Sequence, residues 1–183
     1  MKIKVKTIND IMINEYRDIL TIIEHGEDSI ENNIKIISTL TDLSEKELLD
    51  YEYSSIRKLV DMVNEIISKP VEEELVDIEI EGIKYGFDEK LDKMKTGMFI
   101  DLYNFTKDND KINDNLHIVS AILFRPKVNG KLLDYNSESV ITRADIFNKH
   151  MSISVAQNIC FFFLILRQKS LEKIVASLGK QLK

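Results

Sequence analysis

Two hydrophobic periods alternate along the chain. Tyr16, Ile19, Leu20 and Ile23 are spaced i, i+3, i+4, i+7, which predicts an amphipathic helix over roughly 14–24, ended by His25-Gly26. A second helix is expected over about 29–40 with Ile30, Ile34, Ile37 and Leu40 inward. Ser44 and Glu47 form a capping box, each side chain satisfying the other's free N–H, so a short helix should run to about Tyr51. The clearest stripe (Ile56, Leu59, Val60, Val63, Ile66, Ile67) predicts a helix over 54–68, stopped by Lys69-Pro70.

The period then drops to two. Val76, Ile78 and Ile80 alternate with acids; Ile83, Tyr85 and Phe87 alternate again after Gly82. This predicts a tight hairpin whose inward set is Val76, Ile78, Ile80, Ile83, Tyr85 and Phe87. A lone hairpin is marginal in water. Residues 1–6, where Met1, Ile3 and Val5 alternate with Lys2, Lys4 and Lys6, are the expected third strand. A helix packed beneath is the other way to hold the hairpin.

Helical spacing returns after residue 90. Thr96 is expected to cap a helix near 97–106 carrying Phe99, Leu102 and Tyr103. The segment 110–124 is apolar on more than half its surface (Ile112, Leu116, Ile118, Val119, Ile122, Leu123) and should be the most buried element, ended by Arg125-Pro126. Residues 127–140 read as an irregular stretch with an Asn129-Gly130 turn. Helices follow over 142–149, 152–168 and 170–182, the last with Leu171, Ile174, Val175 and Leu178 on one face. The fold class expected is mainly α (α+β): a multi-helix bundle with a small antiparallel β-hairpin or three-stranded sheet. One domain over 1–183 is expected, helical over 7–70, an acidic hairpin over 76–87, and helical again over 94–183.

Composition narrows the function more than the fold. The chain has 183 residues, 44% hydrophobic and 31% charged, an ordinary soluble balance. A single cysteine, Cys160, excludes an internal disulfide framework and a cysteine-built zinc site. Net charge −6 and a pI near 5.2 argue against a nucleic-acid coat. The most apolar run, Ile159 to Leu166, has eight residues, against about 20 for a membrane span. It reads as a core helix in which Phe161 is a candidate contact for a partner.

Charge is segregated. Residues 70–92 hold nine acids, Glu72, Glu73 and Glu74 among them, against two lysines. Residues 167–183 hold Arg167, Lys169, Lys173, Lys180 and Lys183 against Glu172. These are two solvated faces, or an acidic and a basic face able to attract each other between subunits, with Lys169, Lys173, Lys180, Glu72, Glu73 and Glu74 as candidate contact residues.

Catalytic chemistry is not apparent. His25, His117 and His150 have no second ligand at helical metal spacing. His117 borders an apolar stripe and reads as half-buried; His25 and His150 sit at helix C-termini, where a cation meets the dipole favourably. Asp108 to Asp114 resembles a calcium loop but lacks its glycine and its terminal glutamate, and reads as a polar turn. Glu72-Glu73-Glu74 could gather a cation, but reads as a solvated linker. No glycine-rich phosphate loop is present. Cys160 lies in an apolar helix and reads as a small core residue. Neither an enzyme nor a bound cofactor or metal is expected.

In order, Thr39-Leu40-Thr41-Asp42-Leu43-Ser44-Glu45, the hairpin Ile80-Glu81-Gly82-Ile83-Lys84-Tyr85, Thr96 to Leu102, Asn115 to Pro126, Arg143-Ala144-Asp145-Ile146-Phe147 and the Phe-rich helix form a recurring pattern. The pattern resembles small proteins of the structural gene modules of tailed bacteriophages, particularly phages of gut Bacteroidales, including crAss-like phages. Some of these are tail assembly chaperones. The resemblance covers about 5–130 and, more weakly, the rest; it brings no functional residues with it. It implies a non-catalytic morphogenesis protein acting by protein–protein contacts in tail assembly. The partners implied are tail, neck or portal proteins, with a homo-oligomer as a further expectation. Neither a membrane nor nucleic acid is an expected partner. The place implied is the cytoplasm of an infected bacterial cell, or the virion. Two alternatives are a virion component, such as a neck or portal-tail ring subunit or packaged cargo, and an unrelated regulatory or adaptor module.

Overall fold

The computed structural model describes residues 3–25, 29–68, 75–88 and 94–181, with the backbone alone described at 109 and 169–181. Eight α-helices and four short strands lie within them: α1 Ile13–His25, α2 Ile30–Leu40, α3 Glu45–Leu49, α4 Tyr53–Ser68, β1 Ile78–Ile80, β2 Ile83–Gly86, α5 Thr96–Thr106, α6 Ile112–Leu123, β3 Arg125–Val128, β4 Lys131–Leu132, α7 Val140–His150 and α8 Ile153–Gln181. The chain is mainly helical with a small antiparallel sheet.

The sequence-level caps hold where side chains can make them. Ser29 accepts from the Asn32 N–H at the start of α2, and Ser44 and Glu47 close the predicted capping box on α3. Thr96 does not cap α5; it is the first helical residue, after Lys95, which makes no side-chain cap bond. The long C-terminal stretch is one helix rather than two. Lys169-Ser170 contains neither proline nor glycine, so nothing ends α8 there. Helix α6 is preceded by a 3-10 turn over Asn109–Lys111.

Helix α6 is central, packed against α5, α7, α8 and α1. Val119, Ser120, Ala121 and Ile122 are consecutive and fully buried, so neighbours cover it on every side. The buried side chains of all eight helices and of β1 and β2 belong to one apolar cluster. Two backbone hydrogen bonds close the bundle at one end: Ile153 N–H to Ile11 O at 2.8 Å, and Ile13 N–H to Met151 O at 3.1 Å.

The sheet has the order β1-β2-β3-β4, with Ile78 opposite Tyr85, Tyr85 opposite Pro126 and Lys127 opposite Leu132. Both hairpins turn through two residues with positive φ, Glu81 (51°) and Gly82 (75°), then Asn129 (52°) and Gly130 (74°). That geometry matches the natural twist of paired strands. The N-terminal strand expectation fails. Met1 and Lys2 lie outside the described residues; Val5 forms an isolated bridge to Thr41, and the Lys6 N–H bonds Leu40 O at 2.8 Å, so this segment docks on the end of α2. The third strand is β3, inside the stretch read as irregular. The alternative support is also present: Tyr85 packs edge-on against Phe147 of α7 at 4.9 Å, and Phe87 against Phe162 of α8 at 5.6 Å.

Of the expected inward set, Ile80 and Tyr85 are buried and Ile78 and Phe87 partly so, whereas Val76 (59% exposed) and Ile83 (44%) are not. Val76 precedes the paired stretch, and Ile83 sits beside the turn, at the hairpin tip. Ile23 and Ile30, near helix ends and on the faces expected inward, are exposed.

Candidate interaction surface

Helix α5 is apolar on two sides. Met98 and Leu102, one turn apart, are buried, as the core requires. Phe99, Ile100 and Tyr103 point outward, with Ile100 52% exposed. Phe99 and Tyr103 are two of the three residues that marked this helix in the sequence; the third, Leu102, is the one in the core. The first two lie outside the side of α5 that α6 covers, and Phe99 reaches Phe163 of α8 edge-on at 6.5 Å. Thr106 ends α5 fully buried, its hydroxyl donating to Leu102 O at 2.8 Å. Arg167 Nη1 reaches that hydroxyl at 3.3 Å and Thr106 O at 3.4 Å, a cation at a helix C-terminus.

The candidate residue Phe161 is 64% exposed on α8, while Cys160 and Phe163 beside it face the interior. Lys169, Lys173 and Lys180 fall on one face of the α8 backbone by their spacing of four and seven. Glu72, Glu73 and Glu74 lie outside the described residues. The expected pairing of acidic with basic candidates thus falls outside the described side chains.

Two concave regions stand out. A trough of mixed lining follows α4, formed by two adjoining cavities of about 300 and 240 Å³ that share Asn33 and Val60, with isoleucines and valines beside Asn64 and Arg57. Its walls come from the end of α1, from α2 and from α4. The second region is a mixed cleft of about 230 Å³ between the sheet and the start of α5. There Arg125 Nη2 lies 3.9 Å from Asp88, its Nη1 donates to Leu133 O at 3.0 Å, and Lys95 pairs with Asp134 at 3.2 Å. Tyr135 lines the cleft and donates to Asp101; burial first, then that carboxylate, raise its pKa, so the phenol keeps its proton.

The remaining shifted groups sit in the packing. Burial pushes the Cys160 thiol up to about 11, as a core cysteine should be. His117 is half-buried, with its pKa lowered by burial and then by Arg17. His25 and His150 close α1 and α7 as expected, and His150 Nε2 lies 3.5 Å from Glu81 on the hairpin turn. Asp108 accepts from the Asp110 N–H at 3.2 Å in a polar turn.

Sequence reasoning missed Arg143, a buried cation on α7. Its Nε donates to Ala121 O at 2.8 Å and its Nη1 to Ser139 Oγ at 3.1 Å. Nothing in the spacing of α7 distinguishes it from a surface arginine. Among the described residues no three His, Cys, Asp or Glu side chains are grouped to hold a metal ion, and no helix is long and apolar enough to cross a membrane. No protein-family model, curated protein or solved structure matches the chain.

Proposed function

We propose that this chain is a non-catalytic protein that works by protein–protein contact, and that its setting is the assembly of a bacteriophage tail. The observation that carries the contact reading is the outer face of α5. Three large apolar side chains, Phe99, Ile100 and Tyr103, stand in water on a helix that already buries its other side. Grouped exposed apolar residues of this kind mark surfaces that another protein covers. Aromatic residues at such a face supply large contact area for little conformational entropy.

Cys160 and Arg143 serve packing and helix-end satisfaction, and the mixed cleft neutralises its charges within itself. The phage setting rests on the resemblance of the ordered segments from Thr39 to Phe147. An assembly chaperone would hold an apolar tail partner on such a face and then release it; a virion subunit would stay.

The test is affinity recovery of the tagged chain from infected cells, with mass spectrometry of the purified virions alongside. Tail proteins recovered with the chain, and a chain missing from virions, are the expected results. A chain present in virions selects the structural version. A chain that recovers no phage structural protein overturns the proposal.

A further inference from the structure

Helix α8 is longer than the body it packs on. It has 29 residues, against 12 for α6 and 13 for α1, the helices it lies against. Its first half is tied at two points: the Ile153 N–H bonds Ile11 O at 2.8 Å, and Arg167 Nη1 reaches Thr106 O at 3.4 Å. Residues 168–181 continue the helix past the second tie, about 21 Å at 1.5 Å per residue.

The side of α8 that meets the body changes character there. Ile159 and Phe163 are fully buried. The positions one and two heptads on from Phe163 are Ser170 and Ser177, and those two and three heptads on from Ile159 are Lys173 and Lys180. The apolar side that seats α8 on its own chain thus stops before the helix does.

A second apolar series runs on. Phe161, Leu164, Gln168, Leu171, Val175 and Leu178 are spaced alternately three and four residues apart, the a and d positions of a heptad. Where its side chains are described this seam is open: Phe161 is 64% exposed, Gln168 is exposed and Leu164 is half-buried. A period of 3.5 is that of two helices wound about each other.

The residue types select the partner. The d positions are all leucine and Val175 is β-branched at a, which favours two parallel strands. In a parallel pair of identical helices, position g of one helix meets position e of the next heptad of the other. Those positions are Arg167 and Glu172, opposite in charge. Arg167 spends Nη1 on Thr106, and a guanidinium has further donors. Gln168 supplies the single polar a position that sets register. Lys169, Lys173 and Lys180 fall at b and f, away from a partner helix.

We infer that α8 pairs along 161–178 with α8 of a second copy of this chain, as a parallel, in-register, two-stranded coiled coil. The contact is isologous and closes as a dimer. It is built on α8 and not on the outer face of α5, so it holds or fails whatever the recovery of phage proteins returns.

Sedimentation and cross-linking of the full chain test it. The natural chain should sediment at twice the 21.2 kDa chain mass. Leu171→Lys with Leu178→Lys puts charge into the seam while keeping good helix formers, and should weaken the dimer by roughly tenfold or more. Ser170→Lys with Ser177→Lys puts the same charge at c positions and should leave the dimer intact. In a parallel pair identical d positions face each other, so Leu171→Cys should oxidise to a disulfide-linked dimer, whereas Lys173→Cys, at f, should not. The natural Cys160 is buried and does not compete. A natural chain at the monomer mass, a leucine variant that associates as the natural chain does, a serine variant that loses the dimer equally, or equal cross-linking by the two cysteine variants would each overturn the inference.

Discussion

Arg143 is a cation inside the bundle, and its position explains why it is tolerated. The last carbonyls of a helix have no intrahelical partner. Arg143 Nε satisfies that of Ala121, near the end of α6, from within the next helix. Burial lowers its pKa, yet the guanidinium stays charged. Arg143→Leu should cost about 2–3 kcal/mol in chemical denaturation, the scale of a lost charged hydrogen bond that leaves a buried acceptor. His117 is a second titratable group in the packing, half-buried and faced by Arg17, Asp114 and Asp145, with no partner for its Nδ1. Its folded pKa lies below the unfolded value of about 6.5, so the unfolded state takes up the proton first as pH falls. Stability is complete above pH 7 and falls through about pH 6.5 and below. Unfolding curves at pH 7.5 and 5.5 should separate for the natural chain, and His117→Gln should remove most of that separation. Of these sites the sequence marked His117 and Cys160, because each interrupts or joins an apolar stripe. It could not mark Arg143, whose partner is a backbone atom 22 positions away.

Turn chemistry decides the elements of the sheet. The first hairpin was legible from alternation on both sides of Gly82. The second was not, because Arg125-Pro126-Lys127-Val128 lacks alternation, although Asn129-Gly130 is itself a strong hairpin signal. Local composition was outweighed there by pairing with β2. Residues 3–6 show the converse, an alternating pattern that ends as a docked segment because the end of α2 offers a free carbonyl at Leu40. Gly130 holds φ of 74° in open space, so an added methyl meets no neighbour and the cost is conformational alone. Gly130→Ala should lower stability by about 1–2 kcal/mol, read from the shift in denaturation midpoint at unchanged slope. A loss below about 0.3 kcal/mol would mean that the turn relaxes to another type.

At the scale of the molecule, an Ile-rich interior is organised around α6, and that centre was legible because no polar face runs the length of 112–123. Leu123, 4% exposed, is part of it, and Leu123→Ala should cost roughly 2–5 kcal/mol through lost transfer energy and a cavity. What the pattern could not show is which apolar residues are left over. Phe99, Ile100, Tyr103 and Phe161 carry the same hydrophobic signal as core positions, and their exposure follows from how helices stack rather than from spacing. The account makes that surplus the working surface of the protein. Its most direct test is recovery of phage tail proteins from infected cells by the tagged natural chain and by a Phe99→Ser, Ile100→Ser, Tyr103→Ser variant, with thermal unfolding measured for both. The expected result is a variant that folds as the natural chain does and loses its tail partners. Equal recovery by the two chains would contradict it.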